Sequence, residues 1–240
     1  MTATTYSIAF DPNATTGPFA PPRPFRSMLD YPAFAWQNAV DRLTEWLVQH
    51  MVVHGDVYLS YEPPFTIRRH FRHDFNVHQI WLRPVSYVGT SQWFVIRVKH
   101  LCDDPKEKVR VNWQAASGWY EELKRRGFRP LMLDNNGGED IEIIVLLTEH
   151  VPAPEVKEFV ERFVSDYASR GLAQRPDLWP NRADIGGKRG YEEGWRVFGV
   201  DESYRYCTRV WNGERWLERE EAIEAILATT GDSLELLANS

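Results

Sequence analysis

The chain has 240 residues with 28 Lys and Arg against 34 Asp and Glu, a formal charge of -6, so a basic coat over the whole surface is excluded and any polynucleotide contact must come from a local patch. With 43% hydrophobic and 13% aromatic residues it can bury one large core or two small ones. Two cysteines, Cys102 and Cys207, are too few for a disulfide framework or a cysteine-built zinc site, and no apolar run reaches membrane-spanning length. The expectation is a reducing, cytoplasmic setting with no membrane partner and with both thiols as small buried apolar groups.

Residues 1–30, rich in Pro, Thr and Ala, read as an extended arm packed by Tyr6, Phe19 and Phe25. Residues 31–90 read as a smaller N-terminal α/β part. Apolar residues recur at three- and four-residue steps from Pro32 to Met51, predicting a helix closed by His54-Gly55. A strand over Asp56 to Tyr61 follows, stopped by Pro63-Pro64. Then comes the densest basic cluster of the chain, Arg68, Arg69 and Arg72 with His70 and His73, interleaved with Phe65, Phe71 and Phe75. Such a run is commonly a solvated face; the rings also allow it to hold a phosphodiester backbone and stack on bases. Further strands are expected over Val77–Val88 and Gln92–His100.

Asp103-Asp104 lies in an expected polar connection, where paired acids are ordinarily solvated and make a weak metal candidate. The helix after it is expected to begin at Asn112 and end at Gly127, followed by a strand at Arg129–Asp134, a tight turn at Asn135–Gly138 and a buried strand at Ile141–Leu147. Pro154 starts a second amphipathic helix over Val156–Ser169, ended by Gly171. Residues 176–191 read as loop, and Gly186-Gly187-Lys188-Arg189-Gly190 lacks the ending of a phosphate-binding loop. Strands at Trp195–Phe198 and Tyr204–Trp211, the turn Asn212-Gly213, a return strand at Arg215–Leu217 and a helix at Glu218–Thr229 complete the series. Strands and helices alternate without a regular βαβ repeat, which predicts an α+β fold with a mostly antiparallel central sheet.

The run WYEELKRRGFRPLM, the NGG turn, the VLL strand leading into EHVPAPEV, then SDYASRGLAQRPDLWP and TRVWNGERWLEREEAIEAILA carry a resemblance. From about Trp93 to about Leu236 the chain resembles primase-polymerase domains of the archaeo-eukaryotic primase superfamily, of the bacterial planctomycete and TOTE conflict-system types. The resemblance implies an RRM-like core over residues 91–240 with helices on one face, joined to the smaller N-terminal part, or one integrated domain over 31–240. It also implies DNA or RNA, and other replication or defence proteins, as partners.

The chain departs from these relatives at their catalytic positions. They carry two aspartates, one residue apart on a strand, which hold divalent metals for phosphoryl transfer. The corresponding positions here are Arg97 and Lys99. Where they have a serine, a glycine-rich turn and a histidine, this chain has Asn135, Gly137-Gly138 and Glu142. Arg196 and Gly199 match, but a histidine pair becomes Asp201-Glu202. The former site positions are thus Arg97, Lys99, Glu142, Asp201 and Glu202. The expectation is a catalytically degenerate domain that needs no cofactor and binds nucleic acid or nucleotide, or acts as a scaffold, through Arg68, Arg69, Arg72, Arg97, Lys99 and Arg196. The alternative is an active primase or polymerase using magnesium or manganese, which requires Asp140, Glu142, Asp201 and Glu202 to form a relocated acid cluster. Under the first reading, Arg97 and Lys99 face Asp140 and Glu142 across neighbouring strands and pair with them.

Overall fold

The computed structural model describes residues 17, 35–36, 38–52, 57–60, 66–68, 79–86, 88–135, 140–181, 194–199 and 207–238, giving the backbone alone for 57–60, 66–68, 79–81 and 238. The rest of the 1–30 arm, the side chains of Arg68, Arg69 and Arg72, the turn residues 136–139, the loop at 186–190 and the pair Asp201-Glu202 lie outside what is described.

In chain order the elements are α1 (Val40–His50), β1 (Val57–Ser60), β2 (Thr66–Arg68), β3 (Gln79–Leu82), β4 (Thr90–Val98), α2 (Pro105–Arg125), β5 (Leu131–Asp134), β6 (Ile141–Pro152), α3 (Ala153–Phe163), a 3-10 turn (Tyr167–Arg170), β7 (Asp177–Trp179), β8 (Trp195–Arg196), β9 (Arg209–Trp211), β10 (Trp216–Leu217), α4 (Arg219–Leu227) and α5 (Glu235–Ala238). The fold is α+β. Its larger sheet has six strands in the order β10-β9-β5-β6-β4-β7, and a second sheet has four in the order β2-β1-β3-β8. Every strand pair in both is antiparallel.

Alternation along β4 divides the core in two. Phe94, Ile96 and Val98 pack with α2 and α3, around Trp119, Leu123, Val156 and Phe159. Trp93 and Val95 turn to the other side, where they meet Leu43 and Leu47 of α1 and Ile223 and Ile226 of α4. Helices therefore cover both faces of the larger sheet, and the expectation of helices on one face is corrected. The physical reason is that β4, β5 and β6 are apolar at consecutive positions, so neither face can be left to water. Residues of α1 and Leu82 share this second core with residues after position 90, and β8 pairs with β3.

Several boundaries differ from expectation. Helix α2 starts at Pro105, seven positions before Asn112, because Asp104 is its N-cap: the carboxylate accepts from the Lys106 N–H at 2.9 Å, with Pro105 filling the first turn. That use of Asp104 gives the residue a structural role in place of the weak metal-ligand candidacy. At the other end, Gly127 has φ 95°, its N–H reaches the Lys124 carbonyl, and the Phe128 N–H reaches the Leu123 carbonyl at 3.0 Å, the paired bonds of a Schellman ending. Helix α3 stops at Phe163, and the chain resumes as the 3-10 turn before Gly171. Strand β7 lies where a loop was expected. Both cysteines are half-buried, not buried.

Candidate functional site

Arg97 sits near the end of β4, between two neighbours. In register it stands opposite Glu142 of β6 on one side and Asp177 of β7 on the other. The odd-numbered side of β4 faces α1, α4 and the β8 segment, so a charge at position 97 falls on the side of the sheet that also receives Trp195. Glu142 lies on that same side, between Ile141 and Ile143, which join the opposite core.

The side chains meet. Arg97 donates from Nε to Asp140 Oδ2 at 3.1 Å and again from a terminal nitrogen to the same oxygen, and its Nε stands 3.8 Å from Glu142 Oε1. The two acids are 6% exposed at their side chains and the arginine 32%, so the guanidinium caps a pair of buried carboxylates. Burial works against the Arg97 charge, but Glu142, Asp140 and Asp177 together outweigh it and hold the guanidinium protonated more firmly than usual.

Glu142 is organised from its other side by a line of hydrogen bonds. Asn135 Nδ2 donates to Glu142 Oε2 at 2.7 Å, Thr208 Oγ1 donates to Asn135 Oδ1 at 2.6 Å, and the Gly199 N–H donates to Thr208 Oγ1 at 2.7 Å. The last two contacts fix the Asn135 amide with its oxygen toward Thr208 and its nitrogen toward the acid. The buried indole nitrogen of Trp195 completes no hydrogen bond of ordinary geometry among the described residues, yet it is close enough to favour the ionised carboxylate. Burial pushes the Glu142 carboxyl up to about 7; Arg97, Trp195 and Arg196 oppose the rise, and the Asp140 charge adds to it.

The remaining sequence candidates fall out differently. Lys99 lies one residue beyond β4 and, among the described residues, has no ion-pair partner; its carbonyl accepts from Gln174 Nε2 at 3.5 Å. The expected four-charge cluster is corrected to Arg97 with Asp140 and Glu142, because the sheet ends before position 99 can be brought under an acid. Arg196, half-buried on β8, contributes its charge to Glu142. Thr208, Trp195 and Asp177 carry the site and were not singled out in the sequence; only the short β7 register and the return of the chain past Gly199 bring them in. A second buried pair, Asp134 with Arg209, lies on the opposite side of the sheet, its guanidinium 5.1 Å from the Trp216 ring centroid.

The arrangement suits cation and proton chemistry better than metal binding. Divalent magnesium or manganese needs carboxylate oxygens with no competing cation, and the two described acids here already turn toward a guanidinium whose charge would repel the ion. The described residues at the site do not fit the metals that the resemblance implies. No family model matches the chain, and no curated protein matches it.

Proposed function

We propose that the chain is a primase-polymerase-like domain without metal-dependent nucleotidyl transfer, which binds nucleic acid or nucleotide or acts as a scaffold in replication or defence. The observation that carries this reading is the Arg97–Asp140–Glu142 cluster. At the strand position where the resemblance places a metal-binding aspartate stands a guanidinium, and opposite it, where the resemblance places a histidine, stands a buried acid. The adjacency of β4 and β6 in one sheet is the neighbourhood the resemblance implies, which supports the family reading without the family chemistry. Phosphate binding is a role that a part-exposed guanidinium, the neighbouring Lys99 ammonium and Arg196 can take over from a lost metal site.

The test is one preparation carried through two assays. Template-primer extension with magnesium or manganese is expected to show no incorporation; incorporation that disappears in Glu142→Gln or Asp201→Asn would favour the relocated acid cluster instead. Fluorescence anisotropy with a labelled single-stranded oligonucleotide is expected to show binding that weakens with salt, log affinity falling by roughly 0.7 per log unit of salt for each phosphate neutralised. Replacing Arg68, Arg69 and Arg72 by Ser is expected to reduce that slope. A slope near zero would sink the nucleic-acid reading.

A further inference from the structure

Arg97 is one of the cations assigned to the proposed binding surface, yet it is engaged from within. Asp140 takes two of its N–H groups, Glu142 stands at 3.8 Å, and Asp177 faces it from β7. Asp140 and Glu142 are almost wholly buried, whereas a third of the Arg97 side chain is open. A guanidinium that swings outward to meet a ligand would leave two buried acids facing each other, and an uncompensated buried charge is costly. We infer that anion binding at Arg97 is self-limited: Asp140 and Glu142 hold its guanidinium as an internal stand-in for phosphate, and a phosphodiester has to compete with them. This rests on the nucleic-acid reading above and assigns its regulation.

The competition has a built-in variable. Asp140 and Asp177 are both placed against Arg97, while Glu142 stands opposite Arg97 in register and is flanked by Asn135 and Trp195, away from water. The charged groups that bear on Glu142 are Arg97 from β4, Asp140 from the turn before β6 and Arg196 from β8; Asp177 acts through Arg97. When Glu142 takes up a proton, one of the two buried negative charges disappears, and releasing Arg97 toward a phosphate no longer strands a pair of like charges. Proton uptake at Glu142 and anion binding at Arg97 therefore favour each other, and by linkage the bound anion raises the proton affinity of Glu142 by the same factor. Because burial already brings the Glu142 carboxyl to about 7, the exchange falls in the neutral range. Binding strengthens as the pH drops through that value.

The full chain, Glu142→Gln and Asp140→Asn are compared, with circular dichroism to establish that each is folded. The first measurement is the rate at which phenylglyoxal modifies Arg97 at pH 8, read by peptide mass spectrometry. Modification is expected to be faster in both variants than in the parent, on the order of fivefold for a coupling at the lower end of what linked sites show. Equal rates in parent and both folded variants would overturn the inference. The second measurement is the affinity for a fluorescein-labelled mixed-sequence single-stranded oligonucleotide from pH 6 to 8.5 at fixed low salt. Glu142→Gln is expected to bind more tightly than the parent at pH 8, also on the order of fivefold, and the two affinities to converge by pH 6. Parallel profiles would overturn the inference while leaving the nucleic-acid reading intact. Absence of oligonucleotide binding in all three proteins would overturn the nucleic-acid reading, and the restraint on Arg97 would then stand or fall on the modification rates.

Discussion

Arg97 and Glu142 are direct cross-strand partners on β4 and β6, and the acid of the pair is the more deeply buried of the two. A cation that covers buried carboxylates matters more to the fold than an exposed ion pair does. Arg97→Asp, which would set three acids together, is expected to lower stability by about 3–5 kcal/mol at pH 8 in chelator. Lys99→Asp is expected to stay within about 0.5 kcal/mol of the parent, as surface changes commonly do. Urea unfolding of both variants checks the contrast, and comparable losses would show that Lys99 shares the cluster.

Glu142 also gives stability a pH dependence of definite sign. Its carboxyl holds a proton up to about 7 in the folded chain, against an ordinary value of 4.5. Between those values the folded state binds more protons than the unfolded state. The stability contributed is therefore fully present below the unfolded value and is lost as pH rises through the folded one, amounting to about 3 kcal/mol over the window. Glu142→Gln cannot titrate and is expected to flatten that part of the profile. Unfolding free energies measured at half-unit steps from pH 5 to pH 8 would show this, and an unchanged slope in the variant would assign the dependence elsewhere.

Thr208 is the middle of the line from Gly199 to Asn135. Its hydroxyl is buried, accepts from the Gly199 N–H and donates to the Asn135 amide oxygen. Thr208→Val keeps the shape and removes the hydroxyl's contacts, including a longer one to the Gly199 carbonyl at 3.1 Å, leaving buried polar groups unsatisfied at a cost of about 1–3 kcal/mol. Thr208→Ser is expected to recover most of that loss. Equal destabilisation by Val and Ser would mean that the methyl group, not the hydroxyl, matters at this position.

The middle of β6 supplies a test of packing rather than charge. A Cβ at Gly231 would stand 2.7–2.8 Å from backbone atoms of Leu147 and Thr148, where Asp232 bridges to Leu147 and exchanges backbone hydrogen bonds with Leu146 and Thr148. Gly231→Ala is expected to cost about 1–3 kcal/mol through this overlap and to loosen that bridge. Hydrogen exchange at the Thr148 and Asp232 amides is the direct reading; protection unchanged from the parent would show that the backbone yields without strain.

Much of the architecture was legible because it is written in local pattern. The Gly127 ending, the buried run of β6, the Asn212-Gly213 hairpin and the α+β class each follow from a few neighbouring residues. Facing of Arg97 toward Glu142 and Asp140 was also within reach: period-two alternation set which face each charge takes, while the neighbouring of the two strands was only what the resemblance implied. Asp104 was misread because a capping acid and a solvated loop acid have the same spelling; the following proline was the signal that separates them. Asp177, Trp195 and Thr208 were out of reach for a different cause. Each is brought to the site by a strand of two or three residues, or by none, and such short elements carry no periodicity from which to place them. The second helical face was missed because the one-faced arrangement was what the resemblance implied, and the covering helix α1 lies far away in sequence from β4 and β6.

Arg129 and Asp232 are 103 positions apart, and their contact is dense: the Arg129 N–H and Nε both reach the buried carboxylate, while the terminal nitrogens take Thr230 Oγ1 and the Gly231 carbonyl. Bringing those two points together before the intervening strands have assembled would mean closing a long flexible loop for a single clasp. The clasp is therefore expected to form late in folding, after the barrier has been crossed. Weakening it should leave the refolding rate almost untouched and appear nearly all in faster unfolding, which makes this one arginine a control on how long the folded chain persists rather than on how quickly it forms.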